Sequence, residues 1–264
     1  MKHALLVPPV GQFSDPRVLV ELAVAAEVAG WDGVFVWDHV LRAEPPLEIA
    51  DPWIALAAIA MATRRVRIGP AVTPLTRRRP VKLARETVSL DHLSGGRLTL
   101  GLGLGVDSSR ELSGLGEVLD PRTRGERLDE GAELLCAMWS GDTIDYHGDH
   151  FVAEQITVLP RPVQQPRIPL WFAARGKVGR PVRRAARYDG IIPIEVDERE
   201  LSEMLDVVVN ERGSLDGFDI AVRPAGSGQY RAFRDLGATW TFVEPPAGDP
   251  ELLQIAATNP TTLF

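Results

Sequence analysis

Short apolar runs alternate with helical segments along this chain, and the alternation limits the folds open to it. Eight runs have the length and residue types of β-strands, and each is followed by a segment with apolar residues at helical spacing. Because such an alternation places parallel strands inside a layer of helices, it predicts an α/β fold. Eight units in 264 residues favour a closed (β/α)8 TIM barrel over an open sheet. The predicted strands are 3–8, 33–38, 67–73, 98–104, 168–174, 190–196, 218–224 and 239–244.

A single TIM-barrel domain is predicted for residues 1–264, since no shift in composition marks a second domain. One segment, residues 141–167, interrupts the alternation. Within it, residues 143–146 and 151–159 have the pattern of two strands around a polar turn, and several prolines follow. We therefore expect a small hairpin insertion before strand five of the barrel.

The composition argues against some classes of binding partner and indicates a cellular compartment. The chain has 29 basic and 36 acidic residues and a net charge of −7, which argues against general nucleic-acid binding. No apolar run approaches the roughly 18 residues of a membrane span, and the N-terminal apolar run is too short for a signal peptide. The single cysteine, Cys136, cannot form an intrachain disulfide, so a reducing cytoplasm is expected.

The segment Pro52–Ala62 is apolar on every face, whereas a helix on the outside of a barrel should have one polar face. Something must therefore cover it, either a second copy of the chain or a long loop of the same chain. We expect a homodimer. The apolar residues of the segment include Trp53, Ile54, Leu56, Ile59 and Met61.

Polar residues fall where predicted strand two ends, which is the side of a barrel that carries the active site. His39 is the candidate catalytic residue, because a histidine at the barrel mouth can donate or accept a proton near neutral pH. Asp38 is the second candidate, with a carboxylate that could accept a hydrogen bond from a heterocycle. The alternative is a helix-capping Asp38 beside a His39 with a structural hydrogen-bond partner.

The ends of strands three and four suggest a place for a flat ligand. Prolines on both sides restrict the backbone of residues 71–73, so these residues could form a bulge that enters the barrel mouth. Gly101, Gly103 and Gly105 share one face of strand four and could leave room for a bulky ligand. The alternatives are a plain turn at 71–73 and tight packing at the glycines. The candidate binding residues of these two strands are Ala71, Val72, Thr73, Gly103 and Gly105.

Basic residues after strand five could hold an anionic cofactor tail, helped by the N-terminus of the next helix. Residues 77–79, all arginine, could contribute to the same site. The alternative is a solvated basic face, to which Arg183, Arg184 and Arg187 are assigned. The candidate anion-binding residues are Ala174, Arg175, Gly176 and Lys177.

No metal site is expected. A barrel metallohydrolase would carry a His-x-His pair on strand one, whereas this strand has only His3. Cys136 lies in a predicted helix among apolar residues and lacks the exposure of a nucleophile. The chain also has neither a nucleophile elbow nor a phosphate-binding P-loop.

With these residues in view, the chain resembles the bacterial luciferase-like superfamily of flavin- and F420-dependent oxidoreductases, from about residue 3 to about residue 245. The most specific part is the run Leu90-Asp91-His92-Leu93-Ser94-Gly95-Gly96-Arg97, followed by the alternating glycines. Further matches are 30–33 (Gly-Trp-Asp-Gly), Asp38-His39, 51–53 (Asp-Pro-Trp), 68–72 (Ile-Gly-Pro-Ala-Val), His150-Phe151, 185–187 (Ala-Ala-Arg) and Asp189-Gly190.

The resemblance implies a TIM barrel with a flavin or deazaflavin ring at the mouth. It implies a bulge after strand three that supports the ring, with Ala71–Val72 as the candidate for a non-proline cis peptide. It places Asp38 and His39 against the ring and the substrate, and assigns the loop after strand five, residues 173–177, to the cofactor phosphate. It also implies dimers through the early helices, here near residues 52–62 and 80–93.

Three functional hypotheses follow. The first is an oxidoreductase that moves a hydride between coenzyme F420 and a small organic substrate. The second is an FMN-dependent monooxygenase supplied by a separate flavin reductase, and the third is a noncatalytic flavin-binding barrel. Two departures from the family pattern bear on them. Val106 replaces the acidic residue of the sugar-phosphate dehydrogenase branch, and Ala174-Arg175-Gly176 replaces a glycine-rich phosphate loop.

Overall fold

The computed structural model describes residues 1–42, 46–176, 178–244 and 252–263, and within these it shows a parallel barrel. Its strands are β1 (Lys2–Val7), β2 (Gly33–Val36), β3 (Arg67–Pro70), β4 (Thr73–Pro74), β5 (Leu100–Gly103), β8 (Leu170–Arg175), β9 (Gly190–Ile194), β10 (Asp219–Val222) and β11 (Trp240–Val243). Their order in the sheet is β3-β2-β1-β11-β10-β9-β8-β5-β4. The predicted TIM-barrel class is confirmed.

Helices follow the barrel strands along the chain. They are α1 (Pro16–Ala29), α2 (Pro52–Ala62), α3 (Pro80–Ser94), α4 (Pro121–Ser140), α5 (Arg180–Ala186), α6 (Glu198–Arg212), α7 (Ser227–Asp235) and α8 (Leu252–Ala256). The expected insertion is an antiparallel hairpin of β6 (Thr143–His147) and β7 (Val152–Thr157). In the described ranges no helix is long and apolar enough to cross a membrane.

The third predicted strand is divided into β3 and β4, because residues 71 and 72 leave the strand path between them. The barrel nevertheless closes, since β3 bridges to the start of β5 through Ile68 and Leu98. At this junction the two backbones are very close, and a Cβ added to Gly69 would lie 1.9 Å from the carbonyl oxygen of Thr99. Only glycine fits at position 69 without displacing the neighbouring strand.

Proline and aspartate residues start the helices as local sequence rules require. The Asp51 carboxylate accepts hydrogen bonds from the N–H groups of Trp53 and Ile54 at the start of α2. Pro52 occupies the first turn, where its missing N–H costs no hydrogen bond. At the end of α1, Gly30 adopts φ of +94°, a left-handed conformation that favours glycine.

The interior of the barrel is filled by aromatic side chains. Phe35 stacks on Trp171 with 5.5 Å between ring centroids and meets Trp240 and Phe242 edge-on. These residues form an apolar cluster with inward-facing residues of β1, β9 and β10. The barrel is therefore a packed core rather than a channel, and ligands can enter only at its mouth.

The run that carries the family resemblance has a structural role here. Asp91 is fully buried and accepts hydrogen bonds from the backbone N–H groups of Val163 and Gln164. Arg97 donates to the carbonyl oxygens of Ala60 and Val66, and so fastens the turn between α2 and β3. The motif identifies the scaffold, whereas the polar chemistry lies in other residues.

Candidate active site

A cavity of about 590 Å³ opens at the carboxyl ends of the barrel strands, within the size range of small-molecule sites. Its wall is mainly apolar, and polar side chains line it at the end of β2 and again at the ends of β8, β10 and β11. The lining includes Leu6, Trp37, Asp38, His39, Arg42, Ala71, Val72, Gly103, Gly105, Val106, Glu111, Ala173, Arg175, Ile192, Ile194, Arg223, Phe242 and Glu244. The predicted location of the site is thus a real concavity.

His39 lines the cavity, and its partner is Glu111. The His39 Nδ1 atom lies 2.7 Å from Glu111 Oε2, and the ring of Trp37 meets the imidazole edge-on at 5.4 Å. Glu111 is only 1% exposed and also accepts hydrogen bonds from the N–H groups of Val40 and Leu41. The carboxylate therefore fixes both the imidazole and the backbone that follows it.

Glu111 is held as a carboxylate. Burial by itself raises its pKa, but the hydrogen bonds from His39, Val40 and Leu41 outweigh burial and leave the pKa of Glu111 below its usual value. An ionised Glu111 can only accept, so the network assigns the donated proton to Nδ1 of His39. The Nε2 atom of the neutral ring is then a proton acceptor, which is the arrangement a general base needs.

Asp38 requires a correction. Its side chain is buried, and its carboxylate accepts hydrogen bonds from Thr73 Oγ1 at 2.8 Å, Arg77 Nη2 at 3.0 Å and Arg78 Nη2 at 2.7 Å. The carboxylate that holds His39 is thus Glu111 rather than Asp38, and because Asp38 still lines the cavity, its contact with a cofactor ring stays a prediction. Arg77 also lies 3.7 Å from Glu111, and so joins the two carboxylates.

The same network corrects two further expectations. Arg77 and Arg78 neutralise the buried Asp38 instead of facing an anionic cofactor tail. Thr73 is fully buried against Asp38 and lies outside the cavity lining, so it supports the site without contacting a ligand. A buried carboxylate needs such compensation, because an unpaired charge away from water is very costly.

The bulge after strand three is confirmed. The Ala71–Val72 peptide bond is cis, and both residues line the cavity. A Cβ on Gly103 would lie 2.6 Å from Val72 Cγ2, and one on Gly101 would lie 2.4 Å from the carbonyl oxygen of Pro70. Gly101 and Gly103 therefore make room for the bulge, and because Gly103 and Gly105 also line the cavity, their contact with a ligand stays a prediction.

The loop after β8 only partly matches its predicted role. Arg175 lines the cavity, where it forms an exposed ion pair with Glu195 at 3.1 Å. Ala174 points into the hydrophobic core and Gly176 lies outside the lining, because successive strand residues alternate between faces. Lys177 lies outside the described residues.

The helix after that loop, α5, is poorly suited to the predicted role of binding an anion at its N-terminus. It is only seven residues long, and Pro181 at its second position has no N–H to offer an anion. The prediction that Arg184 lies on a solvated face is wrong, because its side chain is 4% exposed and pairs with Asp129 at 2.6 Å. Arg183 and Arg187 are exposed as expected.

Sequence reasoning missed Glu111 as a functional residue. It lies 72 positions after His39 in a loop beyond β5 that contains several other polar residues, and no local pattern distinguishes it from them. It also missed Trp37, Arg42, Arg223 and Glu244 as cavity residues. Their only signal was position, because each lies at or just after the carboxyl end of a barrel strand.

Comparison with known proteins places the chain in a family. The family model of the luciferase-like monooxygenases matches residues 4–225, so the chain belongs to that family. An F420-dependent glucose-6-phosphate dehydrogenase of Gordonia bronchialis is 36% identical over 183 residues, 67% of this chain and 51% of the relative. A homologue from Amycolatopsis mediterranei with the same name is 38% identical over 168 residues, 62% of this chain and 49% of the relative. The chain thus spans about half the length of these relatives.

Solved structures agree on the fold. An F420-dependent secondary alcohol dehydrogenase, in complex with an F420–acetone adduct, superposes with a TM-score of 0.83 at 16% identity, covering 100% of this chain and 98% of that one. The monooxygenase RslO1 from Streptomyces bottropensis has a TM-score of 0.73 at 25% identity, covering 90% of this chain and 75% of that one. F420 enzymes and monooxygenases therefore both occur among its structural relatives.

Proposed function

We propose that the protein is an F420-dependent oxidoreductase that transfers a hydride to or from a small organic substrate. The observation that carries the proposal is the His39–Glu111 pair, 2.7 Å apart, at the edge of an apolar cavity beside the Ala71–Val72 bulge. Relatives named as F420-dependent dehydrogenases, 36% and 38% identical to this chain, support F420 over FMN.

The residues present fit a flat ring. The bulge forms an apolar shelf, and the missing side chain of Gly103 leaves Val72 room to adopt its place in that shelf. Ala71, Val72 and Ala173 line adjoining parts of the cavity and would contact the ring face. Arg175 would bind the anionic tail in exchange for Glu195, since an exposed ion pair is worth only about 0–1 kcal/mol. When bound, F420 supplies the two-electron hydride carrier.

The protein's own part in the chemistry is proton transfer. In the oxidative direction the substrate carbon loses a hydride and its hydroxyl loses a proton, which His39 accepts at Nε2. Glu111 keeps Nδ1 protonated and stabilises the imidazolium that forms. In the reductive direction the same atom donates the proton to the carbonyl oxygen as the carbon gains a hydride. His39 is thus the catalytic residue, and Glu111 is a positioning residue.

A fluorescence titration of the purified protein with F420 and, separately, with FMN tests the cofactor. We expect saturable F420 binding that is at least about tenfold tighter than FMN binding, a difference of about 1.4 kcal/mol. A preference for FMN would favour a monooxygenase that receives reduced flavin from a separate reductase, and would contradict the proposal. Binding of neither cofactor would also contradict it and would favour a noncatalytic barrel.

A homodimer in the cytoplasm belongs to the same proposal. In the single chain, Ile54 and Met61 on α2 are 64% and 60% exposed, and Val81 and Leu93 on the neighbouring α3 are also exposed. Sedimentation should give a dimer mass at micromolar concentration, because such an apolar patch gains stability when a second copy covers it. The Ile54→Lys/Met61→Lys variant should sediment as a monomer, with Val28→Lys as the matched control on α1. A monomeric parent protein would refute the dimer.

A further inference from the structure

One cavity-lining arginine differs from the others in its charge environment. Arg175 pairs with Glu195, Arg184 pairs with Asp129, and Arg223 pairs with Glu244. Arg42 also lines the cavity, but no carboxylate of the described residues lies within ion-pair distance of it. Within the part of the chain that the structure describes, Arg42 is therefore a cavity-lining arginine without a carboxylate partner.

Arg42 is held close to the catalytic residue. Its Cζ atom lies 5.9 Å from the centroid of the Trp37 ring, and the same ring meets the His39 imidazole at 5.4 Å. The indole thus limits the positions of both side chains through a cation–π contact with Arg42 and an edge contact with His39. A small molecule that reaches His39 also comes within reach of Arg42.

We infer that Arg42 binds a carboxylate of the substrate, so that the substrate is a small hydroxy acid or keto acid. This inference rests on the proposed function. A guanidinium matches a carboxylate through two parallel hydrogen bonds, and it is strongest where apolar surface excludes water. Leu6, Trp37 and Phe242 provide such apolar surface. The carboxylate on Arg42 would leave the neighbouring carbinol or carbonyl oxygen for His39 Nε2.

The cofactor tail is a second possible source of an anion, but strand order separates it from Arg42. Arg42 follows β2 and Arg175 ends β8; around the closed barrel, the bulge between β3 and β4 lies between them on one side, and β1, β11, β10 and β9 lie between them on the other. A tail that extends from the bulge toward Arg175 leads away from Arg42. The two arginines therefore have separate anions to bind, one on the substrate and one on the cofactor.

Substrate pairs that differ only in charge test the assignment. The protein loaded with F420 is assayed with 2- and 3-hydroxy acids and with the corresponding amides. We expect kcat/KM to favour an acid over its amide, and Arg42→Gln to reduce kcat/KM for the acid about 10–100-fold while the amide changes little. Arg42→Lys should recover part of this loss. Arg175→Gln, the matched control, should leave the acid-to-amide ratio unchanged.

Cofactor titrations separate the possible failures. Arg42→Gln should bind F420 as tightly as the parent protein. A deazaflavin without the anionic tail serves as the comparison ligand. If Arg42→Gln binds F420 more weakly than the parent protein does, but binds this comparison ligand equally well, Arg42 binds the cofactor tail and the inference is wrong. The inference is also wrong if F420 binds tightly but amides are preferred, or if no acid reacts. Failure of the parent protein to bind F420 would instead overturn the proposed function.

Discussion

Replacing His39 with alanine should reduce kcat/KM for hydride transfer about 10²–10⁴-fold, which is the usual contribution of a positioned acid or base. The imidazole is the group whose Nε2 is left to accept a proton, because its Nδ1 is engaged by Glu111 at 2.7 Å. The loss should appear mainly in kcat. The dissociation constant of F420 should change little, because the apolar shelf and Arg175 are intact. Stopped-flow kinetics and fluorescence titration on the same preparation measure both.

Glu111→Gln is the companion variant. The amide has nearly the same shape, but it carries no charge and can donate to Nδ1, so the preferred tautomer of His39 is lost. Activity should fall to a level between those of the parent protein and His39→Ala. The double variant should be no worse than His39→Ala alone, because Glu111 acts through the imidazole. Full additivity of the two losses would contradict the assignment of Glu111 as a positioning residue.

Gly69→Ala should lower the free energy of unfolding by about 3 kcal/mol, at the upper end of the usual cost of overpacking. The added Cβ would lie 1.9 Å from the Thr99 carbonyl oxygen. Because this oxygen belongs to the backbone, it cannot move away without separating β3 from β5. Thermal denaturation followed by circular dichroism measures the effect. A fall of roughly 6 °C or more in Tm is expected for a domain of this size.

Gly228→Ala is the matched control for that experiment. Gly228 lies in the exposed first turn of α7, and a Cβ there would meet no atom within 4 Å. Alanine is the better helix former, so this change should leave Tm unchanged or raise it slightly. Equal Tm values for the two variants would show that the close approach at Gly69 does not constrain the barrel.

Local sequence patterns were sufficient for the elements of this fold. The eight strands, the hairpin and the second helix were predictable, because each depends on residue spacing and on proline and glycine signals within a few positions. The bulge at Ala71–Val72 was indicated by its flanking prolines and by the family resemblance. The placement of His39 at the mouth followed from the rule that barrel strands present their carboxyl ends to the site.

The partners of the polar groups were decided by the tertiary structure. Nothing local indicates that Glu111 binds His39, or that Arg77 and Arg78 are used to neutralise Asp38. Both outcomes reflect one cost: a buried charge must be paired, and only the folded chain determines which counter-charge is within reach.

The glycines illustrate the same division. Their alternation indicated that they share one face, whereas only the tertiary structure shows that Gly101 and Gly103 make room for the bulge. The sequence by itself thus determined the barrel and the location of its site. Which groups remain available to act depends on contacts between strands that are distant in sequence, because burial fixes the hydrogen-bond and charge partners there. Among the described residues these groups are the Nε2 atom of His39 and the Arg42 guanidinium.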